Sequence, residues 1–179
     1  MAKYIEQGSA GGDAELLRVE ALGEPGQRRF RIVAVINGET YILWMEKQQV
    51  QALGMAVAQL IDHVSAAPDI TGGTSGLVVV NEDTRNQFRV GRIEIAFDER
   101  VEQIVIVAHD IEQDAPDAPP TLAIRLSREQ GRSMSEEAEE LVARGRPICP
   151  MCGSPMDPGG HVCPQQNGHL PLTLDDEFI

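Results

Sequence analysis

The first part of the chain consists of short stretches in which hydrophobic and polar residues alternate. Residues 14–22 (AELLRVEAL) predict a first strand, and the turn sequence GEPG at residues 23–26 predicts a reversal of the chain. Alternation resumes over residues 29–36, and the Asn-Gly pair at residues 37–38 gives a strong hairpin signal before residues 41–45. The pattern therefore predicts three antiparallel strands.

A helical pattern follows between Lys47 and Val64. Its apolar residues recur every three or four positions, as on one face of an amphipathic helix, and we expect that face to lie on the sheet. These residues are Val50, Leu53, Val57, Leu60, Ile61 and Val64. Gly54 weakens the helix locally and is expected where a neighbouring element comes close.

The pattern of the second part of the chain resembles that of the first. Residues 78–80 predict a short strand, and residues 88–97 and 101–110 predict a hairpin. Residues 121–126 predict a further strand, which follows the loop sequence IEQDAPDAPP. Besides the short segment 78–80, three strands are therefore expected here as well.

A second helix is predicted directly after this strand. Ser127 and Gln130 have the spacing of a capping box, and Arg144 with Gly145 is a suitable helix end. The apolar stripe of the helix consists of Met134, Ala138, Leu141 and Val142.

These elements predict an α+β fold with about six strands in one or more antiparallel sheets, built from two β-β-β-α halves, with a small zinc knuckle at the C-terminal end. We expect an α+β domain over residues 1–146, with a possible internal repeat of residues 14–64 and 78–145. A zinc-knuckle segment (147–170) and an acidic tail (171–179) follow. Strand pairing between the halves leaves no local signal, so the pattern does not choose between one layer, a sandwich and a barrel.

All three cysteines and two of the four histidines of the chain lie in residues 149–169. Cys149 and Cys152 form a C-x-x-C pair, and Gly153 follows where the backbone can bend back toward the sulfurs. The turn sequence DPGG at residues 157–160 then reverses the chain. This spacing is typical of paired metal ligands in a small zinc site.

A second ligand pair arrives after that turn. The predicted ligands are Cys149, Cys152, His161 and Cys163. A Cys₃His set is typical of closed, tetrahedral, structural Zn²⁺ sites. His169 is the alternative fourth ligand, because the H-x-C spacing of His161 and Cys163 is tighter than usual.

Three segments of the chain resemble a known family. They are GEPGQRRF near the start, FRVG at residues 88–91 and, above all, GRPICPMCGSPMDPGGHVCPQQNG. The resemblance is to a bacterial family catalogued as domain of unknown function 3090, and it extends from about Glu20 to Gly168. Members of the family usually carry an aromatic residue where this chain has His169, which favours His161 as the ligand. The resemblance supports the zinc motif and implies no particular reaction.

Charge and composition narrow the possible functions. The chain has 15 Lys and Arg residues against 28 Asp and Glu residues, a formal net charge of -13, so nucleic acid is an unlikely partner. Residues 1–14 lack the pattern of a secretory signal, and no apolar stretch approaches the roughly 18 residues that predict a membrane span. Cysteines spaced as metal ligands favour a reducing compartment. We expect a cytoplasmic protein that does not associate with a membrane.

Catalytic and cofactor-binding motifs are scarce. The sequence contains no H-E-x-x-H motif and no phosphate-binding glycine loop, so no catalytic or cofactor-binding residue is predicted. His63, near a helix end, is most simply a residue favoured by the helix dipole. His109, beside Asp110, is expected to face water. Arg28 and Arg29 could hold an anion, although they more simply increase the solubility of a hairpin end.

The sequence therefore favours a non-catalytic, zinc-containing binding or adaptor protein. Its partner would be another protein or a second copy of the chain. The alternative is a zinc-dependent, hydrolase-like enzyme with a cleft between the β domain and the zinc knuckle. A closed four-ligand site favours the first hypothesis, because catalytic zinc keeps an open coordination position.

Overall fold

The fold was analysed in a computed structural model of the protein. The structure describes residues 10–24, 26–64, 77–113, 115, 118–144, 149–153, 156, 163 and 165. Its helices and strands are β1 (Ala10–Leu22), β2 (Arg29–Ile36), β3 (Glu39–Met45), α1 (Lys47–Val64), β4 (Gln87–Asp98), β5 (Gln103–Asp110), β6 (Leu122–Leu126) and α2 (Arg128–Ala143). The predicted α+β class is confirmed, and most predicted boundaries are within two residues of those observed.

Two predictions about strands require correction. β1 begins at Ala10 instead of residue 14, because its first residues pair with β6. Residues 78–80 do not form a strand. Leu77 is 97% exposed and Val79 is 72% exposed, so these apolar residues do not pack on a sheet. The contact with the sheet is made further along the chain, where the Thr84 hydroxyl donates to the backbone oxygen of Thr40 at 2.8 Å.

The six strands form a closed barrel in the order β1-β2-β3-β4-β5-β6. Sequence neighbours pair antiparallel, except that β3 pairs parallel with β4. β6 also pairs parallel with β1 and so closes the barrel. A parallel pair requires a crossover connection, and α1 is part of the connection between β3 and β4. Barrel closure could not be predicted from local patterns.

The core is formed by alternate strand residues and by the facing stripes of both helices. Six of its members that are at most 1% exposed are Ile32, Leu43, Ile104, Ile124, Val57 and Met134. Burial of this apolar surface is the dominant stabilising term, at about 25 cal/mol per Å². No helix in the described part of the chain is long and apolar enough to span a membrane.

The two helices pack closely at Gly54. A Cβ atom on this residue would lie 2.9 Å from the Cβ of Ala138, which is closer than normal packing allows. The hydroxyl of Ser135 donates to the Gly54 backbone oxygen at 2.8 Å across the same contact. The expectation that a neighbouring element approaches Gly54 is therefore confirmed.

The start of α2 has the predicted capping box. The Ser127 hydroxyl accepts from Gln130 N, and Gln130 Oε1 accepts from Ser127 N at 2.9 Å. Gln130 Nε2 also donates to the backbone oxygen of Ala14 at 2.7 Å. Ala14 lies at a β-bulge, where the register of β1 against β2 shifts before Leu16. The Gln130 side chain thus links the start of α2 to the bulge in β1.

The start of α1 repeats this arrangement. Gln49 Oε1 accepts from Glu46 N at 2.9 Å, and Gln49 Nε2 donates to the backbone oxygen of Val90 at 3.1 Å. Val90 also lies at a bulge, where the register of β4 against β5 shifts before Arg92. We call two residues corresponding when they occupy the same place in these two arrangements, as Gln49 and Gln130 do.

The strand registers extend this correspondence. At the parallel junctions, Trp44 pairs with Arg89, and Arg125 pairs with Asp13. Asp13 and Arg89 each precede the residue whose carbonyl accepts from the glutamine side chain. Strand residues that correspond to one another can therefore be identified from the strand pairing.

Candidate metal centre

The three cysteines of the C-terminal segment converge. The sulfur atoms of Cys149, Cys152 and Cys163 all lie within 4.8 Å of one another. The distance between the sulfurs of Cys149 and Cys163 is 3.9 Å. Thiolates bound to one tetrahedral Zn²⁺ at about 2.3 Å would lie about 3.8 Å apart, whereas a disulfide bond is about 2.05 Å long. The observed distance fits a shared metal ion and not a disulfide between these two residues.

A tight turn brings the first two cysteines together. The backbone N–H of Gly153 donates to the backbone oxygen of Cys149 at 2.9 Å and closes the turn. Gly153 has a φ of 71°, a conformation that residues with a Cβ rarely adopt. A Cβ there would meet nothing within 4 Å, so the backbone conformation and not lack of space favours glycine.

Because the cluster is largely buried, negative charge on its thiolates is energetically costly unless it is neutralised. Cys149 is 5% exposed and Cys163 is 4% exposed, while Cys152 is partly exposed. Buried negative charge is costly unless a positive charge compensates it. A bound cation would supply that charge, and three soft sulfur ligands suit Zn²⁺ better than Mg²⁺ or Ca²⁺.

Among the described residues, no histidine or carboxylate joins the three cysteines. His63 and His109 are described, and neither joins the cysteine cluster. His161 and His169 lie outside the described residues, as does the acidic tail 171–179. The predicted Cys₃His set is therefore represented by its three cysteines, and the choice between His161 and His169 stays a prediction.

His109 was expected to face water, and this expectation is wrong. The residue is 3% exposed on β5, opposite Arg92 of β4. Arg92 Nη2 lies 3.1 Å from His109 Nδ1, and because arginine can only donate, Nδ1 is the acceptor. His109 Nε2 lies 3.5 Å from a carboxylate oxygen of Glu94. The alternation of β5 placed this side chain away from the main core, but that face of the barrel is also buried here.

A second feature is a cleft of about 200 Å³ at the start of α1. Its charged lining consists of Arg28, Arg29, Arg89 and Glu46, and Trp44 forms part of its wall. We call this feature the arginine cleft. Sequence reasoning named the first two arginines but did not predict the cleft, because the parallel pairing of Trp44 with Arg89 leaves no local signal.

The described fold and site define an α+β protein with a C-terminal cysteine cluster that could hold a metal ion. The model of the family described as protein of unknown function (DUF3090) matches residues 13–163, which is most of the chain. The chain belongs to this family, and the resemblance noted in the sequence is confirmed. No curated protein and no solved structure matches the chain.

Proposed function

We propose that this protein is a non-catalytic binding or adaptor protein in which Zn²⁺ has a structural role. The observation that carries the proposal is the convergence of Cys149, Cys152 and Cys163 with sulfur atoms within 4.8 Å of one another. A segment as short as 147–170 cannot bury a hydrophobic core of its own, so metal binding would supply its folding energy.

His161 is the fourth ligand in this proposal, and His169 is the alternative. With four protein ligands the site is closed, and the metal has no open position for a substrate. The family resemblance supports His161, because other members usually carry an aromatic residue at the position of His169.

The proposed partner is another protein or a second copy of the chain. The net charge of -13 opposes binding to a phosphate backbone, which makes nucleic acid a poor candidate. Cysteine ligands require reduced thiols, which supports a cytoplasmic location.

The domain organisation is also proposed. Residues 1–146 form the body, with an internal repeat of residues 14–64 and 78–145, before the knuckle (147–170) and the tail (171–179). The matching bulges and the matching roles of Gln49 and Gln130 support the repeat. Alignment of many family members, half against half, should detect similarity if duplication occurred.

Elemental analysis of the purified protein tests the metal proposal. We expect one zinc per chain, lost in Cys149→Ser and His161→Ala together with a lower melting temperature, and retained in His169→Ala. Met151→Ser is the matched control, since Met151 lies in the same turn and is 51% exposed. Zinc retained in Cys149→Ser, or no zinc in the wild type, would contradict the proposal.

Activity assays test the non-catalytic part. Apo and zinc-loaded protein are compared for phosphatase, esterase and nuclease turnover, and we expect no metal-dependent activity. Metal-dependent turnover abolished by His169→Ala would favour the zinc-enzyme alternative.

A further inference from the structure

The two parallel junctions of the barrel each leave a strand edge beside a helix. β1 pairs with β6 only over Ala10–Asp13, and its edge then faces α2. There the carboxylate of Glu137 accepts from the backbone N–H of Val19 at 2.9 Å. β4 pairs with β3 only over Gln87–Arg89, and its edge then faces α1. The side chain of Glu137 therefore covers the β1 edge, and the β4 edge lies in the equivalent place beside α1.

The backbone of β4 presents hydrogen-bonding groups at this edge. The Gly91 carbonyl accepts from Gln49 Nε2 at 3.4 Å, which shows that it points toward α1. Successive residues of a strand direct their backbone groups to alternate sides, so Ile93 and Ile95 present theirs to the same edge. Within the described part of the chain, no residue forms a hydrogen bond with them on this side.

Ile95 corresponds to Val19, and Ala56 corresponds to Glu137. Val19 and Ile95 follow their bulges by the same number of residues, and Ala56 and Glu137 follow Gln49 and Gln130 by the same number. A methyl group cannot accept the hydrogen bond that Glu137 accepts. The edge that α2 covers is therefore left open by α1.

A groove lies along the open edge. It has a volume of about 320 Å³ and is lined by Gln49, Ala52, Leu53, Ala56, Gly91, Ile93 and Ile95. Gln49 and Gly91 also line the arginine cleft, so the groove and the cleft are adjacent. Together they fall within the size range of about 300–1,000 Å³ that is typical of binding sites.

The arginine end of the groove offers positive charge. The Arg29 guanidinium stacks on the Trp44 ring, 4.0 Å from its centroid. Arg28 donates to the backbone oxygen of Arg144 at 2.8 Å. Among the described residues, neither Arg28 nor Arg29 has a carboxylate within 4.0 Å. An anionic group in the cleft would meet cations that no internal ion pair neutralises.

Two other arginines in or near the cleft, Arg31 and Arg89, differ in whether they can bind a ligand. Arg31 is 7% exposed and is engaged by Glu20 and Glu82 at 2.7 and 2.8 Å. Burial lowers the pKa of Arg31, but hydrogen bonds to both carboxylates and their charges raise it more, so Arg31 remains charged at any working pH. Arg89 lies 3.9 Å from Glu46, and both side chains are largely exposed, so this pair is weak. Arg89 is thus available to a ligand, whereas Arg31 is not.

We propose that the β4 edge and the arginine cleft form one docking site for an extended, acidic peptide segment of a partner protein. The segment adds to β4 as a strand and hydrogen-bonds to Ile93 and Ile95. Its apolar side chains enter the groove, and its acidic residues meet Arg29 and Arg89. This inference rests on the proposed binding function but not on the metal, so the two fail separately.

The spacing of the edge favours a peptide over a small amphipathic anion. Backbone groups directed to one side of a strand recur about every 6.6 Å, since each residue rises about 3.3 Å. A peptide backbone matches that repeat, whereas an acyl chain has no groups to match it. A second copy of the chain would bring its whole net charge of -13 to the contact, whereas a short acidic segment brings only the few charges that the arginines meet.

Fluorescence anisotropy with a designed peptide tests the proposal on the full chain. The labelled probe is SVTVTVDD, and the charge-reversed control is SVTVTVKK. We expect SVTVTVDD to bind, and Ala56→Gln to weaken it about tenfold or more because glutamine can reach the edge as Glu137 does. Met55→Gln, on the adjacent exposed position of α1, should have no effect. Thermal melts of both variants confirm that they fold.

Two further arms separate strand addition from charge attraction. SVTVTVDD methylated on the backbone nitrogens that would face β4 should fail to bind, whereas methylation of the alternate nitrogens should be tolerated. Arg29→Ala combined with Arg89→Ala should weaken binding and reduce its salt dependence. No binding at about 1 mM peptide, or equal binding by Ala56→Gln, would overturn the proposal. A dimer that Ala56→Gln dissociates would assign the edge to a second copy and overturn it as well.

Discussion

The α2/β1 contact and the α1/β4 contact have the same arrangement at the start of the helix and differ further along it. In each, a glutamine after the helix start caps the helix and donates to a carbonyl at a bulge. Further along, α2 carries Glu137, which bonds to β1, whereas α1 carries Ala56, which leaves β4 uncovered. The shared features hold the barrel together, and the positions that differ indicate where it can bind something else.

The two parallel strand pairs also differ in whether their arginines are neutralised within the protein. At the β6/β1 junction, Arg125 pairs with Asp13 at 2.8 Å, and Gln103 donates to the same carboxylate. The corresponding pair at the β3/β4 junction is Trp44 and Arg89, beside the arginine cleft. One junction neutralises its arginine internally, and the other directs arginines toward an open cleft. Five substitutions test this comparison, beginning with the largest expected effect.

Gly131→Val should be the most destabilising. Gly131 is buried on α2, and a Cβ there would lie 2.5 Å from Cδ1 of Ile104 and 3.2 Å from Cδ1 of Ile61. We expect a loss of about 3 kcal/mol in the free energy of unfolding, because the packed core must shift. Urea denaturation measures it, with exposed Arg132→Val as the control. An unchanged midpoint would show that the start of α2 can accommodate a valine, as the start of α1 does at the corresponding Val50.

Gln130→Ala and Gln49→Ala should both destabilise, and the first more than the second. Each removes a helix cap and a bond to a bulge carbonyl, but the bond to Ala14 is 2.7 Å and the bond to Val90 is 3.1 Å. We expect losses of about 2 and about 1 kcal/mol in urea denaturation. The reverse order would mean that the α1 junction is the more tightly held of the two.

Glu137→Ala should cost about 1 kcal/mol, because the N–H of Val19 loses its acceptor. The same change should open the β1 edge, so exchange of the Val19 amide hydrogen should become faster. Glu139→Ala, an exposed change on the same helix, serves as the control. Unchanged exchange at Val19 would indicate that this carboxylate does not protect the edge.

Arg89→Ala should have the smallest effect on stability. Its pair with Glu46 is long and exposed, so we expect a change of less than about 0.5 kcal/mol. Affinity for the acidic peptide should nevertheless fall. A large loss of stability without loss of binding would place Arg89 in the framework of the barrel and not in the cleft.

Much of the fold follows from local patterns. The hairpins, both helices and the capping box at Ser127 were predicted because each depends on neighbours in sequence. The close approach at Gly54 was predicted from a local signal, a glycine within a helical pattern, although its partner Ala138 is distant in sequence. Barrel closure and the early start of β1 were not, since both depend on pairing with β6 at the other end of the domain. The predicted strand at 78–80 was wrong because apolar residues there are exposed.

The candidate sites also differ in whether local sequence patterns predict them. The cysteine cluster was predicted because C-x-x-C spacing presets two ligands within one turn, and the third cysteine joins them. The burial of His109 and the arginine cleft were not predicted, because each is assembled by strands that are distant in sequence.

Amide hydrogen exchange at Ile95 and Val19 tests the central claim, that the β4 edge is open and serves as the docking surface. In the free protein, we expect slow exchange at Val19 and faster exchange at Ile95. Saturation with SVTVTVDD should slow exchange at Ile93 and Ile95 and leave Val19 unchanged. Equal protection of Val19 and Ile95 in the free protein, or no added protection with peptide, would show that the β4 edge is not an open docking surface.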